Sequence, residues 1–205
     1  MIYLTSDLHI FHTNVIRYCN RPFNTVEEMN EALVANWNFV VDVDDSVYCL
    51  GDFSMAARPV ETFTKRLNGI KYLVPGNHDF CHSYHKKSRT PENRAKWIKF
   101  YQDNGWIVLP EQTTLEVPGL GTLNMCHMPY ESYNSGSDEK QFDDKYKKWR
   151  PVDDGRILLC GHVHEKWKTK KTDKETLMIN VGVDVNNHKP VSLDQIAELI
   201  KKEQV

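Results

Sequence analysis

Short apolar runs that stop abruptly at polar or glycine-containing punctuation set the pattern of this chain. Ile2 to Thr5, Ser46 to Leu50, Ile70 to Val74, Trp106 to Leu109, Thr113 to Val117, Thr122 to Cys126, Arg156 to Cys160 and Leu177 to Val183 each read as a strand. They are short and rich in β-branched or aromatic residues. Ile70 to Val74, a short apolar β-branched run, reads as a buried strand, with Pro75-Gly76 halting it. Val26 to Val41 instead spaces its apolar residues helically, with Thr25 as N-cap and Glu27 and Glu28 in the first turn. A weaker helical pattern covers about Pro59 to Leu67, and Trp97, Ile98 and Tyr101 mark another helix. Ser192 caps a closing helix that runs to Lys202. Pro118-Gly119-Leu120-Gly121 is a turn joining two strands.

The residues at the strand ends are more informative than the strands themselves. Five strands end in Asp7/His9, Asp52, Asn77/His78/Asp79, His127 and His162/His164. If those strands lie parallel, their ends converge on one rim of the sheet, where open α/β folds place their ligands. Gly51, Gly76 and Gly161 stand just before three of these groups and permit close backbone approach. Asp7 and His9 fall on the same side of an extended chain, which suits two ligands of one ion. Imidazoles mixed with carboxylates suit Mn, Fe, Zn or Ni. Two ions about 3.5–4 Å apart need a bridging ligand, and Asp52 is the natural bridge because Asp7 is already tied to His9. Two divalent ions against two carboxylates leave a positive centre, which favours an anion such as phosphate.

Composition narrows the class. At 205 residues and a net charge of −2, the chain fits one domain spanning 1–205 and shows no basic excess pointing to nucleic acid. A local cationic site for a nucleotide remains compatible with that total. No apolar run reaches the roughly 18 residues of a membrane span. Met1 to Thr5 lacks the basic start of a signal peptide. The five cysteines are odd in number and lack a CxxC pair, so reduced thiols and a cytoplasmic location are expected. Residues 129–155, polar and aromatic, read as a covering loop or cap.

Outside the core pattern, Asn14, Arg17 and Arg21 are candidate phosphate contacts or a structural loop. His12 could support the ligands from behind. His82 to Arg89 is a substrate rim or a solvated face. Tyr130, Tyr133 and Trp149 could stack on a base or pack the cap, and Asn180, Gly182 and Asp184 are assigned to structure.

The set Asp7-x-His9, Gly51-Asp52, Gly76-Asn77-His78-Asp79, His127 and Gly161-His162-x-His164 resembles the calcineurin-like metallophosphoesterases, in that family's order. Ser6-Asp7-Leu8-His9 with Asn20-Arg21-Pro22-Phe23 further resembles a branch of small bacterial and phage members. The resemblance implies an α/β four-layer sandwich, two mixed β-sheets flanked by helices. It implies Asp7, His9 and His164 on one metal, Asn77, His127 and His162 on the other, and Asp52 between. His78 is then catalytic and faces the substrate, with Asp79 orienting its ring. The implied activity is hydrolysis of a phosphoester by a metal-bound hydroxide, with Mn the expected ion in vitro. A small phosphodiester or a nucleotide is the expected substrate. A nuclease and a non-catalytic metal-binding interaction module are the alternatives.

Overall fold

Two five-stranded sheets carry the computed structural model, which describes residues 1–131 and 144–203. Sheet 1 has the order β10 (Val191–Ser192), β1 (Ile2–Thr5), β2 (Ser46–Cys49), β3 (Ile70–Leu73), β4 (Trp106–Val108). Sheet 2 has the order β5 (Gln112–Val117), β6 (Gly121–Cys126), β7 (Leu158–Cys160), β9 (Leu177–Asn180), β8 (Thr169–Lys171). Both are mixed: β1 to β4 run parallel with β10 antiparallel, and β6, β7 and β9 run parallel between antiparallel edges.

The period-2 alternation of the strands sorts their side chains into three cores. Tyr3, Val47, Cys49 and Leu73 face the helices α1 (Thr13–Tyr18), α2 (Val26–Val40), α3 (Ala57–Phe63) and α4 (Pro91–Asp103). Their neighbours Leu4, Leu50 and Val74 face Leu123, Met125, Leu159 and Ile179 across the two sheets. Helix α5 (Leu193–Glu203) adds Ile196 and Ile200 to this inter-sheet core. On the far side of sheet 2, Cys126, Leu158, Cys160 and Met178 meet Met128, Tyr130 and Tyr146. The described part of 129–155, including a 3₁₀ turn at Asp144–Trp149, therefore has a packing role on that face.

The helix starts follow their caps. Thr25 Oγ1 accepts from the Glu28 N–H at 3.1 Å, and Met29, Leu33 and Trp37 line the buried face of α2. At α5, Ser192 and Gln195 exchange side-chain-to-backbone hydrogen bonds of 2.9 and 3.2 Å in a reciprocal cap. Among the described residues no helix is long and apolar enough to cross a membrane. All five cysteines are free.

Two expectations change. Strand β3 is buried only at its C-terminal end: Ile70 is 46 % exposed while Leu73 and Val74 are fully covered. The polar strand ends also converge differently, because the fold splits the strands between two sheets. β1, β2 and β3 bring Asp7, His9, Asp52 and Asn77 from sheet 1, whereas β6 and β7 bring His127, His162 and His164 from sheet 2. The two rims are joined across sheets by Val183 N–H to Ser6 O at 3.0 Å.

Candidate metal centre

The loops that bear these side chains are strained, and the strain is concentrated on the candidate ligands. Asp7, His9, Asp52, His162 and His164 all adopt left-handed φ values between 51° and 71°, which non-glycine residues rarely take. Glycine makes the crowding feasible. Gly51 has φ +90°, and a Cβ there would run into the Gly76 backbone and His127 Nδ1. A Cβ on Gly161 would collide with Ser6 Oγ and Asp7 Oδ2.

Asp52 sits at the middle. Its Oδ2 lies 3.3 Å from His127 Nε2, 3.6 Å from His9 Nε2 and 4.0 Å from His78 Nε2. Asp7 Oδ1 lies 4.0 Å from His9 Nε2 and 3.9 Å from His164 Nε2. Two donor triads result, Asp7–His9–His164 and Asp7–Asp52–His127, with the donor atoms of each within 4.8 Å of one another. His162 Nδ1 stands 3.3 Å from His127 Nε2, extending the second triad. Asp7, His9, Asp52, Asn77 and His127 are all buried.

A cation fits this donor set. Both ring nitrogens of His9 and the Oδ1 of Asn77 are buried with no hydrogen-bond partner. Leaving a buried polar atom unpaired costs about 1–3 kcal/mol, so these atoms, with His9 Nε2 beside Asp7 and Asp52, point to a ligand that would satisfy them. Burial pushes the Asp7 carboxyl up, while His127 and His78 hold Asp52 well below the usual carboxylate range in spite of its burial. Burial disfavours charge on His127, but Asp52 outweighs it and the ring is pushed up to about 9. His164, between Asp7 and Asp184, is likewise pushed up to about 11 against its burial. Negative charge at the centre thus favours positive charge beside it.

Partners behind the rings fix their tautomers. His127 Nδ1–H donates to Leu50 O at 2.7 Å and His164 Nδ1–H to Asp184 Oδ2 at 2.8 Å, leaving each Nε2 lone pair to the centre.

Residues 1–191 match the calcineurin-like phosphoesterase superfamily domain. The chain belongs to that superfamily. It is 34 % identical over its whole length to the uncharacterized protein MJ1445 of Methanocaldococcus jannaschii, covering 93 % of that protein. It is 29 % identical to the gene 66 protein of Mycobacterium phage L5, over 97 % of this chain and 93 % of the phage protein. The crystal structure of AQ665 from Aquifex aeolicus, titled a protein of unknown function, shares the fold with a TM-score of 0.69. That comparison has 24 % identity and covers 97 % of this chain and 98 % of the other. Membership implies metal-dependent phosphoester hydrolysis.

Three expected roles change in this phosphoesterase. Asp79 does not reach the His78 ring. Its carboxylate points inward and accepts from the N–H groups of Asp52 (2.9 Å), Gly76 (2.8 Å) and Phe53 (3.3 Å) and from Tyr101 Oη (3.2 Å). Burial and the nearby Asp52 charge raise it to about 7. It ties the Asp52 loop to the Gly76 loop, and the adjacent residues of the turn diverge because four donors pull Asp79 into the interior. Arg21 is not available to substrate: its side chain is 0 % exposed, and it is spent on Asp184 and on the carbonyls of Asp7 and Leu8. Asp184, expected to be structural alone, orients a candidate ligand. Asn14 and Arg17 do remain exposed on α1, Arg17 with its guanidinium 5.6 Å from the Tyr18 ring. The His12 ring lies 5.2 Å from that of His9, with a buried, unpartnered Nδ1.

Within the 82–89 cluster His82 is buried and Lys87 lies over an aromatic ring, while Lys86 and Arg89 stay exposed. His85 Nδ1 accepts from Lys87 N–H at 3.2 Å, and Lys87 Nζ lies 4.0 Å from the Phe80 ring. Trp149 Nε1 donates to Ser83 Oγ at 2.8 Å, and Tyr130 Oη donates to Arg156 O at 2.8 Å, so both aromatics serve packing here. Tyr133 lies outside the described residues. His82 is buried near Glu111, and burial pushes its ring down to about 4. The unfolded ring titrates near 6.5, so native His82 binds fewer protons between those values. Its contribution, about 3 kcal/mol, is present above pH 6.5 and is lost as pH falls towards 4. Thermal melts from pH 7 to 4.5 should therefore steepen in their loss of stability below 6.5, and His82→Gln should flatten that slope. An unchanged slope would remove His82 from the account.

Proposed function

We propose that this phosphoesterase is a two-metal hydrolase of a small phosphodiester or nucleotide. The observation that carries the reading is the pair of donor triads that share Asp7, one of them holding Asp52, together with the buried and unpartnered ring nitrogens of His9 and amide oxygen of Asn77. Asp7, His9 and His164 would hold one ion, Asn77, His127 and His162 the other, and Asp52 both. The ions supply Lewis-acid charge and lower the pKa of water to about 7.

The chain's own groups do the rest. Asp52, Asp7 and the imidazoles fix where positive charge stands, so a phosphoryl group is oriented with little reorganisation. His78 is the ring open to solvent, its side chain 37 % exposed, and its backbone N–H holds Asp52 Oδ1 at 2.9 Å. Its Nε2 would donate a proton or hydrogen bond to a phosphoryl or leaving oxygen. Asp79 holds the two loops in register from beneath. The net charge of −2 favours a small substrate over a polynucleotide.

Stripping divalent ions with a chelator should abolish hydrolysis of bis-p-nitrophenyl phosphate while circular dichroism stays close to native. The three cores are built from apolar side chains that no ion has to hold together. Reloading with Mn, Fe, Zn or Ni, one at a time, should restore turnover at two ions per chain. Elemental analysis finding clearly fewer than two ions in active protein would sink the dimetal reading. Salt-dependent polynucleotide binding with cleavage would instead favour a nuclease.

A further inference from the structure

The Asp7–His9–His164 triad draws its members from both sheets, and one buried ion pair spans that seam. Arg21 follows α1. Its Nη2 donates to Asp7 O at 2.6 Å and its Nη1 to Leu8 O at 3.0 Å, so it grips the backbone of the loop that carries Asp7 and His9. Its Nε and a second Nη2 hydrogen bond reach both oxygens of Asp184 at 2.7 and 3.1 Å. Asp184 lies in the turn after β9, and its Oδ2 also accepts from His164 Nδ1 at 2.8 Å. The side chains of Arg21 and Asp184 are 0 % and 2 % exposed. The chain of contacts therefore runs from the β1 loop through guanidinium and carboxylate to the β7 loop.

We infer that Arg21 and Asp184 are positioning residues that set the affinity of the Asp7–His9–His164 position for its ion, separately from the other position. This rests on the two-metal reading. The physical reason is asymmetry between the two halves of the centre. His127 is oriented by a backbone carbonyl, Leu50 O, which no side-chain substitution removes. His164 is oriented by a side chain, and that side chain is itself aimed by Arg21. The planar fork matters because one guanidinium meets two carbonyls and a carboxylate at once, which an ammonium cannot do. Without Asp184 the His164 ring loses its tautomer and its aim, and Arg21 is left as an uncompensated buried charge. Loss of such a partner behind a ligating histidine weakens metal binding about 10–100-fold.

The test is calorimetric titration of Mn²⁺ into metal-free wild type, Asp184→Asn, Arg21→Lys and His164→Ala. Asp184→Asn keeps the shape and removes the charge; Arg21→Lys keeps the charge and removes the fork. Expected is weakening of one binding step by about 10–100-fold in both positioning variants, with the other step unchanged. His164→Ala should strike the same step. Activity at saturating Mn²⁺ should recover towards wild type in Asp184→Asn, with only the half-saturating Mn²⁺ concentration raised. Equal weakening of both steps, or no weakening in either variant, overturns the inference. Melting curves of the metal-free proteins exclude misfolding, and Arg21→Lys decides the matter should Asp184→Asn not fold. Wild type binding a single ion would overturn the two-ion reading instead, and the inference would then stand or fall on whether that one step weakens.

Discussion

Asp52→Ala should yield a folded protein that binds fewer than two ions and has no measurable phosphoester hydrolysis. Asp52 is the group nearest to most others at the centre: His127, His9 and His78 all place Nε2 within 4.0 Å of its Oδ2. Its removal deletes a shared ligand and a charge together, leaving the imidazoles without the carboxylate that balances them. The loss should exceed the roughly 10²–10³-fold attached to a single oxyanion donor, because positioning of both ions fails with it. Asp52→Asn separates the two contributions, since the amide keeps the volume and one acceptor oxygen but no charge. It should retain more metal than Asp52→Ala and still be nearly inactive. The fold should tolerate either change, for Asp52 itself belongs to none of the three apolar cores. The measurements are elemental analysis, turnover on bis-p-nitrophenyl phosphate, and the melting curve. An Asp52→Ala protein that holds two ions and turns over at a substantial fraction of the native rate would remove Asp52 from the centre.

The parts of this site that were legible in the sequence are those encoded locally. A strand that ends in Gly-Asp or Gly-His announces both its termination and its chemistry within two residues, and Thr25 and Ser192 announce helices the same way. Interactions between distant residues were not legible. The Arg21–Asp184 pair joins positions 163 residues apart, and Arg21, though close to the first ligands in sequence, carries no sign that it turns inward to Asp184. Asp79 misled for a related reason: the resemblance implied that it orients the His78 ring, whereas the fold offers its carboxylate the N–H groups of Asp52, Phe53 and Gly76. The edge strands β8 and β10 escaped because Thr169-Lys170-Lys171 has no apolar period and Val191-Ser192 is too short for one. Helix α1 has six residues and one buried side chain, too little to register as a period.

His78→Ala should keep both ions and still lose about 10²–10⁴-fold in rate with a poor, alkoxide-like leaving group, the range for general acid assistance. The side chain is 37 % exposed against 22 % for His164, with its ring centroid 5.5 Å from that of His9 and its Nε2 4.0 Å from Asp52 Oδ2. Those contacts are too long for hydrogen bonds, so the ring is free to serve the substrate. Its backbone N–H, which survives the substitution, continues to hold Asp52 Oδ1. Metal retention is therefore expected. The leaving group distinguishes the two roles open to the ring. Nitrophenolate departs with little protonation, so a proton donor should be missed far less with it than with an alkoxide. A hydrogen bond to a non-bridging oxygen should be missed equally with both. Asp79→Asn supplies the contrast, because Asp79 touches loop N–H groups and Tyr101 but not the His78 ring. It should lower metal affinity and stability without any leaving-group dependence. If His78→Ala sheds its ions, or keeps full rate on the alkoxide substrate, the ring has no part in the chemistry.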